Sequence, residues 1–296
     1  MSTDTLLLID GTGVAYRAFY AIKELSTKSG RPTNAVFGFI KMLRQLEQLW
    51  KPTHWAVVFD GGVPEERLAR LATYKAQRAP MPDPLREQFA PIEDYLARSG
   101  VPSIRMLGQE ADDVMATIVE QSGPRSVEVL MASSDKDLFQ LVGERVVMVA
   151  PSKAGEKMGP AEVFAKTGVW PAMIVEWLAL TGDNVDNIPG VSGVGPKTAA
   201  ELLARFGSLD NLWKDLGSIA KPKLREALEA HRAEVLRNVE LIRLRRDLPV
   251  GMDWEAARVR PPDAARLLPF LREMEFGSLA RALEEEKDQG PMLNFS

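Results

Sequence analysis

Apolar positions in the first half of the chain form short runs separated by longer stretches with helical spacing. In order they are TLLLI, NAVFGFIKMLRQLEQLW, HWAVVF, PLREQFAPIEDYLARSG, a strand near PSIRML, an apolar-periodic run after QEADD, SVEVLMA, the short KDLFQLV and RVVMVA. Strand-like runs alternating with helices of this length predict parallel β-α-β units with right-handed crossovers. The expected fold class is α/β, a mostly parallel central sheet with helices on both faces. From about Pro160 the strand signals stop. The spacing becomes helical through PAMIVEWLALTG, KTAAELLARFGS and KPKLREALEAHRAEVLRNVELIRLRRD, which predicts a second, all-helical lobe. Residues 60 to 84 mix Gly, Pro and charge with little periodicity and are expected to form a loop or mobile helical excursion. The tail EEEKDQGPMLNFS is expected to be disordered for most of its length.

Composition narrows the chemistry. The 296 residues are 45% hydrophobic and 26% charged, enough for a substantial core and two lobes. No run is long enough to span a bilayer, and MSTDTLLLID meets Asp10 before a signal-peptide core could form, so a cytoplasmic location is expected. The absence of cysteine excludes disulfides, thiol catalysis and Cys-ligated zinc. Two histidines, His54 and His231, make a His-based triad or zinc site improbable, so any metal must be held by oxygen. The net charge of -4 argues against a uniformly basic nucleic-acid binder but says nothing of a local patch.

The acids fall in a pattern. Asp10 follows TLLLI directly, and Asp60 follows HWAVVF directly. Glu110, Asp112 and Asp113 come just past the PSIRML strand, and Asp135 and Asp137 just past SVEVLMA. One acid-rich turn is explained by a helix N-terminus, whose free N–H groups favour anions by roughly 0.3 to 1 kcal/mol each. Capping gives no reason for four strand ends to bring carboxylates to one crevice, which is where the carboxyl edge of a parallel sheet puts them. Two carboxylates about 4 Å apart repel by roughly 4 kcal/mol at an effective dielectric of 20. Divalent cations relieve that repulsion, and magnesium or manganese suits an all-oxygen set. Two such ions support phosphodiester hydrolysis.

LLLIDGTGVAYRAFYA, VVFDG, YKAQRAPMPDPL, QEADDVMA, SSDKDLFQL and LTGDNVDNIPGVSGVGPKTAAELL, in that order, resemble the 5' nuclease domain of bacterial DNA polymerase I, within the flap endonuclease superfamily. The resemblance covers roughly residues 5 to 283. It implies a PIN-like 5' nuclease fold with a metal-dependent nuclease domain over 1–175 and an arch or gateway near 62–88. A helical DNA-binding lobe over 176–283 and a disordered tail over 284–296 complete the expected organisation. The implied activity is a structure-selective 5'-3' exonuclease or flap endonuclease, acting on DNA with a 5' flap or 5' end in RNA primer removal and repair. By motif the metal acids are Asp10, Asp60, Glu110, Asp112, Asp113, Asp135 and Asp137, joined by Asp183 and Asp186 of GDNVDN, and no acid of the family pattern is missing. Implied partners are a separate DNA polymerase or ligase, with a nucleoid-associated place in a bacterium and no membrane. The chain stops at Ser296 with no polymerase motifs, as either a free-standing nuclease or an excised domain.

Supporting motifs carry weaker signals. In GVSGVGPKT, Gly190 and Gly195 have P-loop spacing, but Pro196 interrupts the Gly-Lys pair and a helix-like segment precedes it. The better reading is a hairpin between helices, with Gly190, Gly193, Val194, Gly195, Lys197 and Thr198 facing a DNA phosphate through backbone N–H groups and the lysine. This resembles the family's helix-three-turn-helix, which also implies potassium at hairpin carbonyls; the plain alternative is a glycine-rich connection. YKAQR on a helix would put Lys75 and Arg78 on one face. The resemblance gives that pair the role of steering the scissile phosphate. Tyr16 is a candidate for stacking on a terminal base and Arg17 for holding a phosphate, with core packing the alternative for the ring. The basic run Lys221 to Arg246 either tracks duplex backbone or is a solvated helix. QGPMLNFS is a poor match to sliding-clamp peptides. Two other classes compete with the nuclease: a DNA-structure binder that does not cut, and a ribonuclease of the PIN class.

Overall fold

A computed structural model of the chain describes residues 4–151 and 155–289. Six strands, β1 (Thr5–Asp10), β2 (His54–Phe59), β3 (Ser103–Arg105), β4 (Glu128–Ala132), β5 (Val146–Val149) and β6 (Lys157–Met158), form one sheet in the order β3-β2-β1-β4-β5-β6. All neighbours are parallel except β5 and β6. The expected α/β class and parallel sheet are therefore found, with β6 added at an edge.

The helices of the first half are α1 (Gly11–Ala21), α2 (Asn34–Trp50), α3 (Glu65–Arg70), α4 (Asp83–Arg86), α5 (Phe89–Ser99) and α6 (Ala111–Ser122). Those of the second half are α7 (Pro160–Thr167), α8 (Ile174–Thr181), α9 (Pro196–Phe206), α10 (Leu209–Lys214), α11 (Pro222–Ala230), α12 (Arg232–Ile242), α13 (Ala264–Glu273) and α14 (Gly277–Gln289). KDLFQL forms a 3-10 helix, and the long basic run breaks at His231 between α11 and α12. Among the described residues no single helix is long and apolar enough to cross a membrane.

Because side chains alternate along a strand, each central strand feeds two cores. Leu6, Leu8, Ala56, Val58, Val129 and Met131 point to α6 and to the helical segment that ends near Ala257. Leu7, Ile9, Trp55, Val57, Phe59 and Leu130 point to α1, α2 and α5. This second core also contains Leu267, Phe270, Leu271, Leu279 and Leu283, so α13 and α14 do not belong to the helical lobe expected over 176–283. They cover the opposite face of the sheet. The chain crosses beside the start of β2, where the N–H of Trp55 donates to Ala257 and that of Val259 to Thr53. Polar and charged spacers in that stretch hid the crossing from a reading of periodicity.

Two further expectations are corrected. The tail does not begin at 284, since α14 runs to Gln289 on the packing of Leu279 and Leu283; from Gly290 onward the clamp-like stretch lies outside the described residues. The YKAQR stretch is not helical: it is a turn in which Lys75 has φ +56.

The connection from α8 to α9 is held by close backbone approach. A Cβ on Gly190 would lie 2.2 Å from the Thr181 carbonyl oxygen, and one on Gly182 would lie 2.4 Å from the Gly190 nitrogen. Asn238 of α12, fully buried, donates from Nδ2 to the carbonyls of Ala179 (3.2 Å) and Pro189 (2.7 Å). Gly190→Ala is expected to lower unfolding free energy by about 1–3 kcal/mol, the usual cost of forcing volume into a packed site. Urea unfolding checks this, and a change below about 0.5 kcal/mol, the usual size of an innocuous surface change, would contradict the close packing.

Candidate active site at the carboxyl edge of the sheet

The first carboxylate stands where β1 ends. Asp10 Oδ1 accepts from the Gly13 N–H (2.7 Å), capping α1, and Oδ2 accepts from the Ser133 hydroxyl (3.0 Å). Beyond β2, Asp60 Oδ1 accepts from the Ala111 N–H (2.8 Å) at the start of α6. Beyond β4, Asp135 caps the 3-10 helix by accepting from the Asp137 N–H (3.0 Å). Capping is thus a true part of the picture for Asp10 and Asp135. It does not account for their surroundings.

Asp10, Asp60, Asp112, Asp135 and Asp137 lie within reach of one another's charge, and among the described residues none of the five forms a salt bridge. Burial pushes the Asp10 carboxyl up to about 6, helped by the charges of Asp60 and Asp135 and opposed by its bonds from Gly13 and Ser133. Asp112 is held well above the usual carboxylate range, first by burial and then by Asp135, Asp10, Asp137 and Asp60. Burial also raises Asp135 against the bond from the Asp137 N–H, and raises Asp137 together with the charges of Asp135, Asp186 and Asp183. One oxygen of Asp137, Oδ1, is buried without a hydrogen-bond partner.

The remaining acids have cations. Asp183 accepts from Lys136 Nζ (3.1 Å) and from the Val185 N–H (2.8 Å). Asp186 accepts from Arg78 Nη2 (2.6 Å), with Lys75 Nζ at 3.6 Å. Glu110 is bonded by Lys75 Nζ and by Arg67 Nη1. The Tyr74 hydroxyl lies 3.1 Å from Glu110 Oε2 and 3.0 Å from Asp186 Oδ2, and burial beside these carboxylates raises its pKa, keeping it a donor. Burial opposes the charge on Lys75, but Glu110 and Asp186 outweigh it and raise its pKa.

Asp113 does not join the crevice. It is fully buried and receives a two-pronged bond from Arg67, with Nη1 to Oδ2 at 2.7 Å and Nη2 to Oδ1 at 2.8 Å. Successive helical residues point about 100° apart, and here Asp112 turns to the crevice while Asp113 turns to Arg67. The motif implies both as metal acids; in this structure Asp112 lines the crevice and Asp113 is held by Arg67.

Among the described residues, no three Asp, Glu or His side chains are arranged to enclose an ion. The like charges along this edge repel, which favours separation over closure. The donor set nevertheless suits a hard divalent cation: it is all oxygen, excludes Cys and His, and contains five carboxylates that form no salt bridge among the described residues and one buried oxygen without a partner. A crevice of about 890 Å³ opens over it, lined by Asp10, Asp60, Asp112 and Asp135 together with Tyr16, Lys75 and Arg78.

Both halves of the chain match one kind of enzyme. Residues 5–168 match the model of the 5'-3' exonuclease N-terminal resolvase-like domain, and residues 169–265 match that of the 5'-3' exonuclease C-terminal SAM fold. The chain belongs to the 5'-3' exonuclease family. A 5'-3' exonuclease of Aquifex aeolicus is 38% identical over 95% of this chain and 96% of its own length. The thermostable DNA polymerase I of Thermus thermophilus is 41% identical over 93% of this chain, which spans about a third (32%) of that polymerase. Among solved structures, the phage T5 5'-exonuclease with bound zinc ions is 25% identical, covers 80% of this chain and 89% of its own, and has a TM-score of 0.68. The catalytic core of Rad2 in complex with DNA substrate shares the fold at 20% identity over 92% of this chain and 87% of its own (TM-score 0.61).

In this exonuclease-family chain Tyr16 is half-buried on α1, facing the crevice and stacked with Tyr20 at 6.5 Å between ring centroids. Arg17 is exposed and donates to the Ser134 hydroxyl (2.5 Å). Around the hairpin, Gly195 precedes α9, Pro196 takes its first position, and the exposed Lys197 and half-buried Thr198 supply the next N–H groups. Val194 is buried, and Gly193 has φ +78. Asp183 and Asp186 share the α8–α9 connection with these residues, Asp183 exchanging backbone hydrogen bonds with Ile188, whereas Asp10, Asp60, Asp112, Asp135 and Asp137 come from the sheet half of the chain. Sequence reading missed Arg67, Tyr74, Ser133 and Lys136. Tyr74 and Lys136 adjoin motif residues and could have been suspected; nothing local distinguishes Arg67 from the exposed Arg70.

Proposed function

We propose that the chain is a structure-selective 5' nuclease that cuts phosphodiesters near a single-strand/duplex junction, with magnesium or manganese as its working ion. The observation that carries this reading is that Asp10, Asp60, Asp112 and Asp135, none of them in a salt bridge among the described residues, line one crevice together with Lys75, Arg78 and Tyr16, with Asp137 close enough to Asp112 and Asp135 to act on their charge. Asp10, Asp60, Asp112, Asp135 and Asp137 would hold the divalent ions, with Glu110, Asp183 and Asp186 beside them. When bound, such ions lower the pKa of water and offset charge on phosphate oxygens. Asp113 belongs to the supporting structure.

Lys75 and Arg78 already carry carboxylate partners, so their role depends on exchanging those bonds for a phosphate as DNA enters. Tyr16 would stack on the terminal base and Arg17 hold a neighbouring phosphate. Gly190, Gly193, Val194, Gly195, Lys197 and Thr198 would grip duplex backbone, the N–H groups opening α9 facing phosphate. Potassium at the hairpin carbonyls, action on RNA primers in replication and repair, a separate polymerase or ligase partner and a nucleoid location belong to the same reading.

A 5'-labelled flap duplex tests it. Incubation with magnesium is expected to release short labelled products ending near the junction, and incubation with EDTA none. Binding of the flap without any cutting in either magnesium or manganese would favour a DNA-structure binder instead. Lys75→Ala is expected to slow cutting by about 10²–10³-fold, the usual loss when a preorganised charge on the transition state is removed. Single-turnover rates measure this, and a loss below tenfold would remove Lys75 from the proposed role.

A further inference from the structure

We infer that Arg67 is a positioning residue: it fixes the Glu110 carboxylate at the metal site and anchors that carboxylate to the helical lobe. The inference rests on the metal-nuclease reading above and goes beyond it by assigning a buried arginine that no acid motif contains. Arg67 lies on α3, at the base of the segment that leaves β2, and its side chain is 8% exposed. All three of its guanidinium nitrogens donate. Nη1 serves Glu110 Oε2 and Asp113 Oδ2, Nη2 serves Asp113 Oδ1, and Nε donates to the Leu241 carbonyl of α12 at 3.0 Å. Asp113 Oδ1 also accepts from the Arg245 N–H at 2.9 Å. One ion pair therefore joins the arch base, the start of α6 and residues 241–245.

The bonds to Glu110 are directional. A carboxylate has about four lone-pair positions. Arg67 and the Tyr74 hydroxyl both engage Oε2, while Lys75 alone engages Oε1. Oε2 is thereby tied to the protein, and one position on Oε1 is left for the crevice. Asp113, pointing the other way, would need only a simple partner to be stable. A fork that reaches past it to Glu110 does something more, and groups that orient metal-binding carboxylates typically change metal affinity or activity by about 10- to 100-fold when lost.

Arg67→Lys keeps a charge opposite Asp113 but cannot span both acids. A second variant, Arg67→Gln with Asp113→Asn, replaces the ion pair by two amides and removes the hold on Glu110 without leaving a buried charge alone. Manganese affinity is read by the loss of the free Mn²⁺ signal in electron paramagnetic resonance, using the full chain. Either folded variant is expected to bind Mn²⁺ about tenfold or more weakly. Duplex affinity in EDTA should stay unchanged, and kcat on the flap should fall with little change in KM. Adding Glu110→Gln to Arg67→Lys should cost little more than Glu110→Gln alone. A merely structural arginine would lower the melting temperature but leave Mn²⁺ affinity intact, and that result in either variant overturns the inference. Absence of Mn²⁺ uptake by the unaltered protein would instead remove the metal site, and this inference with it.

Discussion

Asp137→Asn is expected to lose cleavage and, in the same molecule, to gain stability when metal is absent. One carboxylate oxygen of Asp137 is buried without a partner, and Asp135, Asp186 and Asp183 crowd its charge. Removing that charge relieves repulsion and desolvation, with an expected gain of about 1 kcal/mol, within the usual range of about 0.5–2 kcal/mol for one stabilising substitution. In a protein of this size that is about 2–4 °C in melting temperature. Cutting should fall by more than about a hundredfold, because even groups that only support a metal ligand cost 10- to 100-fold. Asp135→Asn should behave alike. Duplex binding in EDTA should hold, since the duplex contacts proposed for Lys197 and the N–H groups that open α9 do not involve Asp137. Calorimetry and single-turnover kinetics on the same preparation decide the matter: a variant that still cuts, or one that melts lower, contradicts a site built from opposed charges.

The second large effect is on pH dependence. For Asp10 the folded pKa of about 6 lies above the usual carboxylate value of 3.8, so the folded protein binds its proton more tightly than the unfolded chain does. Stability of the metal-free protein is thus favoured below the unfolded pKa and lost as pH rises from about 4 through 6, by about 3 kcal/mol at most for this group. Asp112, Asp135 and Asp137 are raised too and extend the loss in the same direction. In EDTA the melting temperature is expected to be lower at pH 8 than at pH 5.5, and magnesium should raise it more at pH 8. Asp112→Asn should flatten the profile. A melting temperature that climbs steadily from pH 5.5 to pH 8 in EDTA would run against the burial of unpaired carboxylates.

Much of this was legible in the sequence because strand ends are local events. TLLLI and HWAVVF stop at an acid, and a parallel sheet turns those stops into one edge whatever the distance along the chain. The glycine-rich connection was legible from GVSGVGPKT, but the close approach of Gly182 and Gly190, where two backbones nearly touch, was not. What could not be read were facts of orientation and long-range contact. Asp112 and Asp113 look equivalent as letters, yet one turns to the crevice and the other to Arg67. YKAQR looks helical, but Lys75 sits in a left-handed turn whose N–H donates to the Asp186 carbonyl, and that turn is what brings both cations to Asp186. The placement of α13 and α14 on the far face depends on a crossing at Ala257–Val259 that periodicity does not encode.

The central claim is that carboxylates from separate strand ends form a binding site for divalent cations. Calorimetric titration of EDTA-stripped protein with MnCl₂ near pH 7.5 tests it most directly. The expected result is saturable uptake that weakens at least tenfold in Asp112→Asn, a site on which the charges of Asp135, Asp10, Asp137 and Asp60 all act. No uptake, or equal uptake by the two proteins, would contradict it.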